Sequence, residues 1–324
     1  MSAALARNGW TVGLAVLLTL LLVATKVIQP DFGVSGLDSL ARAALPFALA
    51  TLGMAVVVIA GGIDLSLAAM MAVTSVSAAR LMEGAGDGQA VLVVAFVLVL
   101  GAAMGALNGA LIVVTRVPDI VVTLAMLFVW QGVALLILNA PGGGAAPWLR
   151  GLIVGGVTLP LVPAALTEWL PKGVVFLVIC AAVIWLPIRR SKLGLMFYAI
   201  GSDPLAAFRS GVPVGRTRVA AYAVTGLFAA LGGISVTMST GIGEPIPGPY
   251  LLASVAAVVL GGVVLGGGRG GLVGPILGVF VLRLVRMDLT LMSFDPNVTT
   301  IVEGSIMVVV VMFGGVLAMR GRRT

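Results

Sequence analysis

Ten apolar runs follow one another, most of them separated by short gaps, and each approaches the roughly 20 residues a helix needs to cross about 30 Å of hydrocarbon. They are Trp10 to Ile28, Ala41 to Ala60, Asp64 to Leu81, Ala90 to Val114, Val117 to Leu138, Gly173 to Ile188, Val219 to Ser239, Leu251 to Gly266, Gly271 to Arg286 and Val298 to Met319. Composition excludes a water-soluble alternative. The chain is 60% hydrophobic and 10% charged, whereas soluble domains carry roughly a quarter charged residues. The expected fold is all-α: a polytopic integral membrane protein with about ten transmembrane helices, forming a single transmembrane domain over residues 1–324. Arg7 followed by an apolar stretch is also a signal-peptide pattern, but no small-x-small cleavage site follows, so the segment reads as an uncleaved first span.

The formal charge of +7 does not point to nucleic acid, because the basic residues sit in gaps between apolar runs rather than on a polar domain. Their placement instead sets orientation. With the N-terminus inside, twelve of the 19 basic residues fall on inner ends and loops, among them Arg7, Arg116, Arg269, Arg320, Arg322 and Arg323. Lys26, Arg42, Arg80, Arg150, Lys172, Arg283 and Arg286 fall outside, beside eight acids. Short basic loops stay cytoplasmic during insertion, so both termini are expected to be cytoplasmic. Arg283 and Arg286 fit least well, which makes the ninth span a candidate for partial re-entry. The longest basic stretch, residues 189–218, is the inner loop on which a soluble partner can push.

The single Cys180 lies in an apolar run, and the chain has no His. An intrachain disulfide, imidazole catalysis and a His- or Cys-cluster metal site are therefore excluded. No nucleophile and base converge, which speaks against a membrane-embedded enzyme. The run Gly266 to Gly271 superficially resembles a phosphate loop. It lacks the Gly-x4-Gly-Lys-Ser/Thr pattern and a preceding strand, so any ATP must be bound by another polypeptide.

Gly61-Gly62-Ile63-Asp64-Leu65-Ser66 interrupts two apolar runs with a turn, a carboxylate and a hydroxyl. Asp64 or Ser66 can cap a helix start while the glycines permit the turn. A carboxylate so close to hydrocarbon also leaves a gating or partner-contact role open. Glu303 lies inside the tenth run. It is either a proton or substrate site, or a charge that reaches the interface or pairs with Arg283 or Arg286. Asn108, Thr123, Gln131, Thr225, Ser235, Thr237, Ser254 and Ser305 place neutral polar groups in the spans. They either hydrogen-bond between helices or line a path suited to the hydroxyls of an uncharged solute. Gly101, Gly105 and Gly109 share one helix face, as do Gly270, Gly274 and Gly278; such rows mark tight helix contact or a moving seam.

Four blocks resemble the permease subunits of bacterial ATP-binding-cassette importers for monosaccharides, the ribose, xylose, galactose and autoinducer-2 group. They are Gly61 to Ser66; Leu107-Asn108-Gly109 with Arg116-Val117-Pro118 and Val121-Val122-Thr123-Leu124; Tyr198 to Asp203 with Ala206-Ala207 and Ser210-Gly211-Val212; and Ala256 to Gly271. Their order and spacing match from about residue 45 to 315. Asp119 and the Gly/Pro-rich stretch Pro141 to Pro171 depart from the pattern.

The resemblance implies a bacterial inner-membrane location and a second permease chain, identical or different. It implies a partner ATPase that binds ATP and Mg, and a periplasmic sugar-binding protein. It makes Tyr198 to Val212 the coupling segment, with Tyr198, Gly201, Asp203, Ala206, Ala207, Ser210 and Gly211 facing the ATPase. Gly61, Gly62, Asp64 and Ser66 become a helix break or gate. Asn108, Thr123, Gln131, Thr225, Ser235, Ser254 and Glu303 become the path. No cofactor is expected in this chain. A branched-chain amino acid permease and a proton-coupled transporter using Glu303 or Asp64 are the competing readings.

Overall fold

The computed structural model describes residues 9–157, 167–246 and 248–320. Arg7, Arg322 and Arg323, used above to set orientation, and part of the Pro141 to Pro171 stretch lie outside the described residues. Thirteen helices occur among the described residues, with no strand. In chain order they are α1 (Gly9–Ile28), α2 (Val34–Ile59), α3 (Leu67–Met82), α4 (Asp87–Thr115), α5 (Asp119–Ile137), α6 (Pro147–Gly151), α7 (Lys172–Arg190), α8 (Lys192–Ser202), α9 (Pro204–Arg209), α10 (Val214–Thr240), α11 (Tyr250–Leu260), α12 (Val273–Leu291) and α13 (Pro296–Arg320).

Six of these, α1, α2, α4, α5, α7 and α10, are long and apolar enough to cross a membrane. The other expected spans correspond to α3, α11, α12 and α13. The eighth run is not one helix. At 1.5 Å per residue, the 11 residues of α11 extend about 17 Å. The chain then leaves helical geometry at Gly261, and Gly262 takes a φ of 81°. The third run is likewise shorter as a helix than as an apolar stretch, because α3 begins at Leu67 and Asp64 and Ser66 lie in the break before it.

Helix α2 is buried along most of its length, whereas α1, α5 and α7 turn most of their residues outward. Val27, Val114 and Leu136 are among the outward-facing residues, as a lipid boundary requires. Helix α10 packs along α4, α2 and α3, and α12 packs along α1 and α2. The Gly101, Gly105 and Gly109 row is the α4–α10 seam. A Cβ on Gly101 would lie 2.5 Å from the Gly226 carbonyl oxygen, one on Gly105 would collide with the Tyr222 carbonyl, and one on Gly109 would come within 2.9 Å of Val219 Cα. Small residues let the two backbones touch, the arrangement that holds helices together in lipid. The second row divides: Gly274 and Gly278 press α12 onto Gly261 and Ala257, while Gly270 sits in the preceding loop with a φ of 125°.

The loops gather at two ends of the bundle. At one end Gly142 and Gly243 form a backbone bridge, and Asp38 accepts a hydrogen bond from Gly155. At the other, the two helix breaks meet the α8 segment.

Candidate functional site

The α2–α3 break, the loop after α11 and the C-terminal half of α8 converge on glycine backbone. The Gly268 N–H donates to the Ile59 carbonyl at 2.9 Å, tying the two breaks directly. Gly201, buried in α8, lies against that bond: a Cβ there would press on the Ile59 carbonyl and sit 2.6 Å from Gly268 N. A Cβ on Gly61, whose φ is 83°, would come within 3.2 Å of Gly201 Cα, and one on Gly267 within 2.8 Å of Gly61 Cα. A side chain at any of these positions displaces backbone. Tyr198 completes the contact by donating its hydroxyl to the Gly270 carbonyl at 2.9 Å.

The rest of the expected coupling segment faces outward. Asp203 caps α9, its carboxylate accepting from the Leu205 and Ala206 N–H groups at 2.8 and 3.0 Å. Ala207 is the exception, on the buried face of α9, and Leu205 and Phe208 are exposed. Ala206 is exposed, and its carbonyl accepts the Ser210 hydroxyl at 2.9 Å. Gly211 differs from Gly201. Its φ is 83°, and a Cβ there would meet no atom of this chain within 4 Å, so within the chain it serves a backbone turn.

A buried polar network braces the first break. Asp64 is fully buried and its Oδ1 accepts the Ser66 N–H at 2.9 Å and the Ser66 hydroxyl at 2.6 Å. Neither residue caps α3 as the sequence pattern predicted: Ser66 occupies the cap position without a side-chain bond to the helix, because its hydroxyl is turned to Asp64. Asn108 donates to Ser66 Oγ at 2.7 Å and receives the Trp130 indole N–H at 3.2 Å. The Tyr222 hydroxyl is shared between Asp119 Oδ2 at 2.9 Å and the Ile63 carbonyl at 3.1 Å, and Thr123 approaches the same carbonyl at 3.4 Å. Arg218 stands 3.8 Å from Asp119 Oδ1. A carbonyl freed by a broken helix needs such donors in a water-free interior. Asp119 and Tyr222 carry the part of this network around the Ile63 carbonyl, and neither was among the expected site residues. Asp119 stood out only as a departure from a pattern, and Tyr222 lies in an apolar run.

The other polar span residues do not share one cavity. Thr225 donates to the Gly53 carbonyl at 3.0 Å, joining α10 to α2. Ser235 and Ser254 bond within their own helices at 2.7 and 2.8 Å. Ser305 does the same on an exposed face, and Gln131 donates to the Pro245 carbonyl at 2.9 Å. Thr237 bonds Ser75 at 3.0 Å. Glu303 pairs with Arg286 at 3.0 Å, and Arg283 lies over the Phe47 ring at 5.1 Å. At the end opposite α8, a cavity of about 230 Å³ is lined by Met71, Ala72, Ser75, Val236, Thr240, Glu244, Ile246, Gly248 and Tyr250. Its hydroxyls and carboxylate come from α3, α10, α11 and the loop between the last two, so no local motif announced it. Among the described residues no group of three or more Cys, Asp or Glu converges as metal ligands.

Residues 36–311 match the family described as "Branched-chain amino acid transport system / permease component". The chain belongs to this permease family. It is a transport component of an ATP-binding-cassette import system and not an enzyme, and it is a multi-pass protein of the inner membrane. Similar curated proteins include the autoinducer 2 import system permease protein LsrD of Escherichia coli (strain K12), of Shigella flexneri and of Escherichia coli O157:H7. Each is 28% identical, over 94% of this chain and 92% of its own length. No solved structure matches the chain.

Proposed function

We propose that this permease subunit carries a monosaccharide or related polyol inward by alternating access, driven by a separate ATPase that pushes on Tyr198 to Val212. The observation that carries the mechanism is the seating of Gly201 against the hydrogen bond joining the two helix breaks. A displacement of α8 there reaches α2 and α11 together, so a push on one surface loop becomes a change in the spans. Exposed Leu205 and Phe208 on α9 offer the ATPase an apolar foothold. In this reading ten segments cross or enter the membrane, both termini are cytoplasmic, and a second permease chain completes the path. A periplasmic binding protein delivers the solute at the opposite end.

The cargo reading rests on the likeness to autoinducer 2 permeases and on the lining of the outer cavity. Ser75, Thr240, Glu244 and Tyr250 offer hydroxyls and one carboxylate, and no basic residue lines the cavity among the described residues. Such a set suits a polyol; a zwitterionic amino acid needs paired charges or helix ends. The family's description names branched-chain amino acids, which keeps that cargo as the second reading. Reconstitution with the partner ATPase and binding protein in proteoliposomes separates them. Uptake blocked by pentoses or autoinducer 2 and indifferent to leucine supports the proposal; block by leucine alone overturns it. Uptake that survives a protonophore but stops without ATP excludes a proton-coupled carrier, consistent with the Glu303–Arg286 pairing.

A further inference from the structure

At the end of the bundle where α8 and α9 lie, a groove of about 610 Å³ opens between the end of α4, the start of α5, α9 and the start of α10. Its walls are apolar, from Ile112, Val113, Val117, Phe208 and Val214, and its charged groups are Arg116, Asp119 and Arg218. Asp119 is already engaged by Tyr222 and Arg218. Arg116 is exposed and makes no ion pair among the described residues. Arg218 lines the groove, and its Nε is buried without a hydrogen-bond acceptor among the described residues. An orphaned guanidinium N–H beside a second, unneutralised arginine calls for an anionic oxygen, and guanidinium geometry suits phosphate.

We infer that this groove binds an anionic phospholipid, its phosphate between Arg116 and Arg218 and an acyl chain along Val113 and Val117. The apolar wall continues into hydrocarbon-facing surface: Val114 on the last turn of α4 and Ile120 and Val121 on the first turn of α5 are exposed. A free phosphate would leave that wall bare to water. An acidic protein surface would have to insert among lipid-facing valines. Basic pockets between membrane helices near the bilayer surface are a known setting for anionic headgroups. The inference needs only that the chain sits in a membrane, and is independent of what it carries.

The test places the purified chain in nanodiscs of phosphatidylcholine doped with phosphatidylglycerol, then counts retained lipids by native mass spectrometry. Wild type retains phosphatidylglycerol in preference to phosphatidylcholine. In R116Q/R218Q that preference falls about thirtyfold, from the roughly 1 kcal/mol of attraction that each arginine exerts near an anionic bilayer. R189Q/R190Q, altered at two arginines that do not line the groove, keeps it, and R116K/R218K keeps part of it. Should the double variant fail to insert, R116Q alone, altered at an exposed position, is held to the same criterion. Unchanged retention in R116Q/R218Q overturns the inference, and so does an equal loss in R189Q/R190Q. Displacement of the lipid by inorganic phosphate alone would assign the site to a free anion. Lipid retention unchanged in R116Q/R218Q, with loss of binding to the partner ATPase when that is added to the nanodiscs, would assign the groove to a protein partner.

Discussion

Replacing Gly201 with alanine tests the junction directly. The added methyl enters the contact between Ile59 and Gly268, whose 2.9 Å hydrogen bond joins the two helix breaks. Either α8 backs away or the bond opens. Overpacking of a close contact costs typically 1–3 kcal/mol, and a buried N–H left without its acceptor costs about 1–3 kcal/mol. Taking about 3 kcal/mol against the seated arrangement, its population relative to the unseated one falls by roughly a hundredfold. The readout is the ratio of solute uptake to ATP hydrolysis for the complex in proteoliposomes. G201A is expected to hydrolyse ATP while uptake per ATP collapses. Gly211→Ala is the control, because its Cβ meets open space and the cost is confined to a left-handed backbone, about 1–2 kcal/mol. It keeps coupling near wild type. Wild-type coupling in G201A would refute the reasoning, and equal uncoupling in G211A would show that the loop's flexibility matters and not the contact.

Three further outcomes follow from the packing. Gly105→Val, driven into the Tyr222 backbone, separates α4 from α10 and lowers the midpoint of thermal unfolding in detergent by several degrees or abolishes insertion; a stable, well-expressed variant would contradict the seam. Tyr222→Phe removes the donor shared by Asp119 and the Ile63 carbonyl and costs about 1–2 kcal/mol of stability, read by the same melt. Glu303→Gln retains ATP-driven uptake, because the carboxylate is held by Arg286 at 3.0 Å and the amide can still accept from it; abolished uptake in a folded E303Q would restore a transport role for that carboxylate.

Much of the helical architecture was legible because hydrocarbon leaves few options: a long apolar run with its polar backbone satisfied internally is a helix. Gly61 to Ser66 was equally visible, since a carboxylate between apolar runs must mark an interruption. The failures have a common cause. Glycine counts as apolar in a run yet tolerates left-handed backbone, so Leu251 to Gly266 read as one span although Gly261 and Gly262 end the helix after Leu260. The spacing of Gly270, Gly274 and Gly278 likewise implied one helix face, although Gly270 precedes the helix. The junction itself joins positions 59, 201 and 268, which no local pattern connects. The same is true of Tyr222, whose hydroxyl meets a carbonyl 159 positions away.

Because the joint between α8 and the breaks is built mainly from main chain, with the Tyr198 hydroxyl on the Gly270 carbonyl, it is a single part distributed over three stretches of sequence. A chimera that grafts the segment 189–218 of another permease onto this bundle imports only a third of that part. The donor's own partners for residues 59–62 and 266–270 have to travel with it, and a graft of all three is the smallest exchange expected to transmit motion. Directed evolution toward a new ATPase meets the same boundary: exposed Leu205 on α9 can be refitted to a new partner surface, while the glycine backbone behind it cannot change.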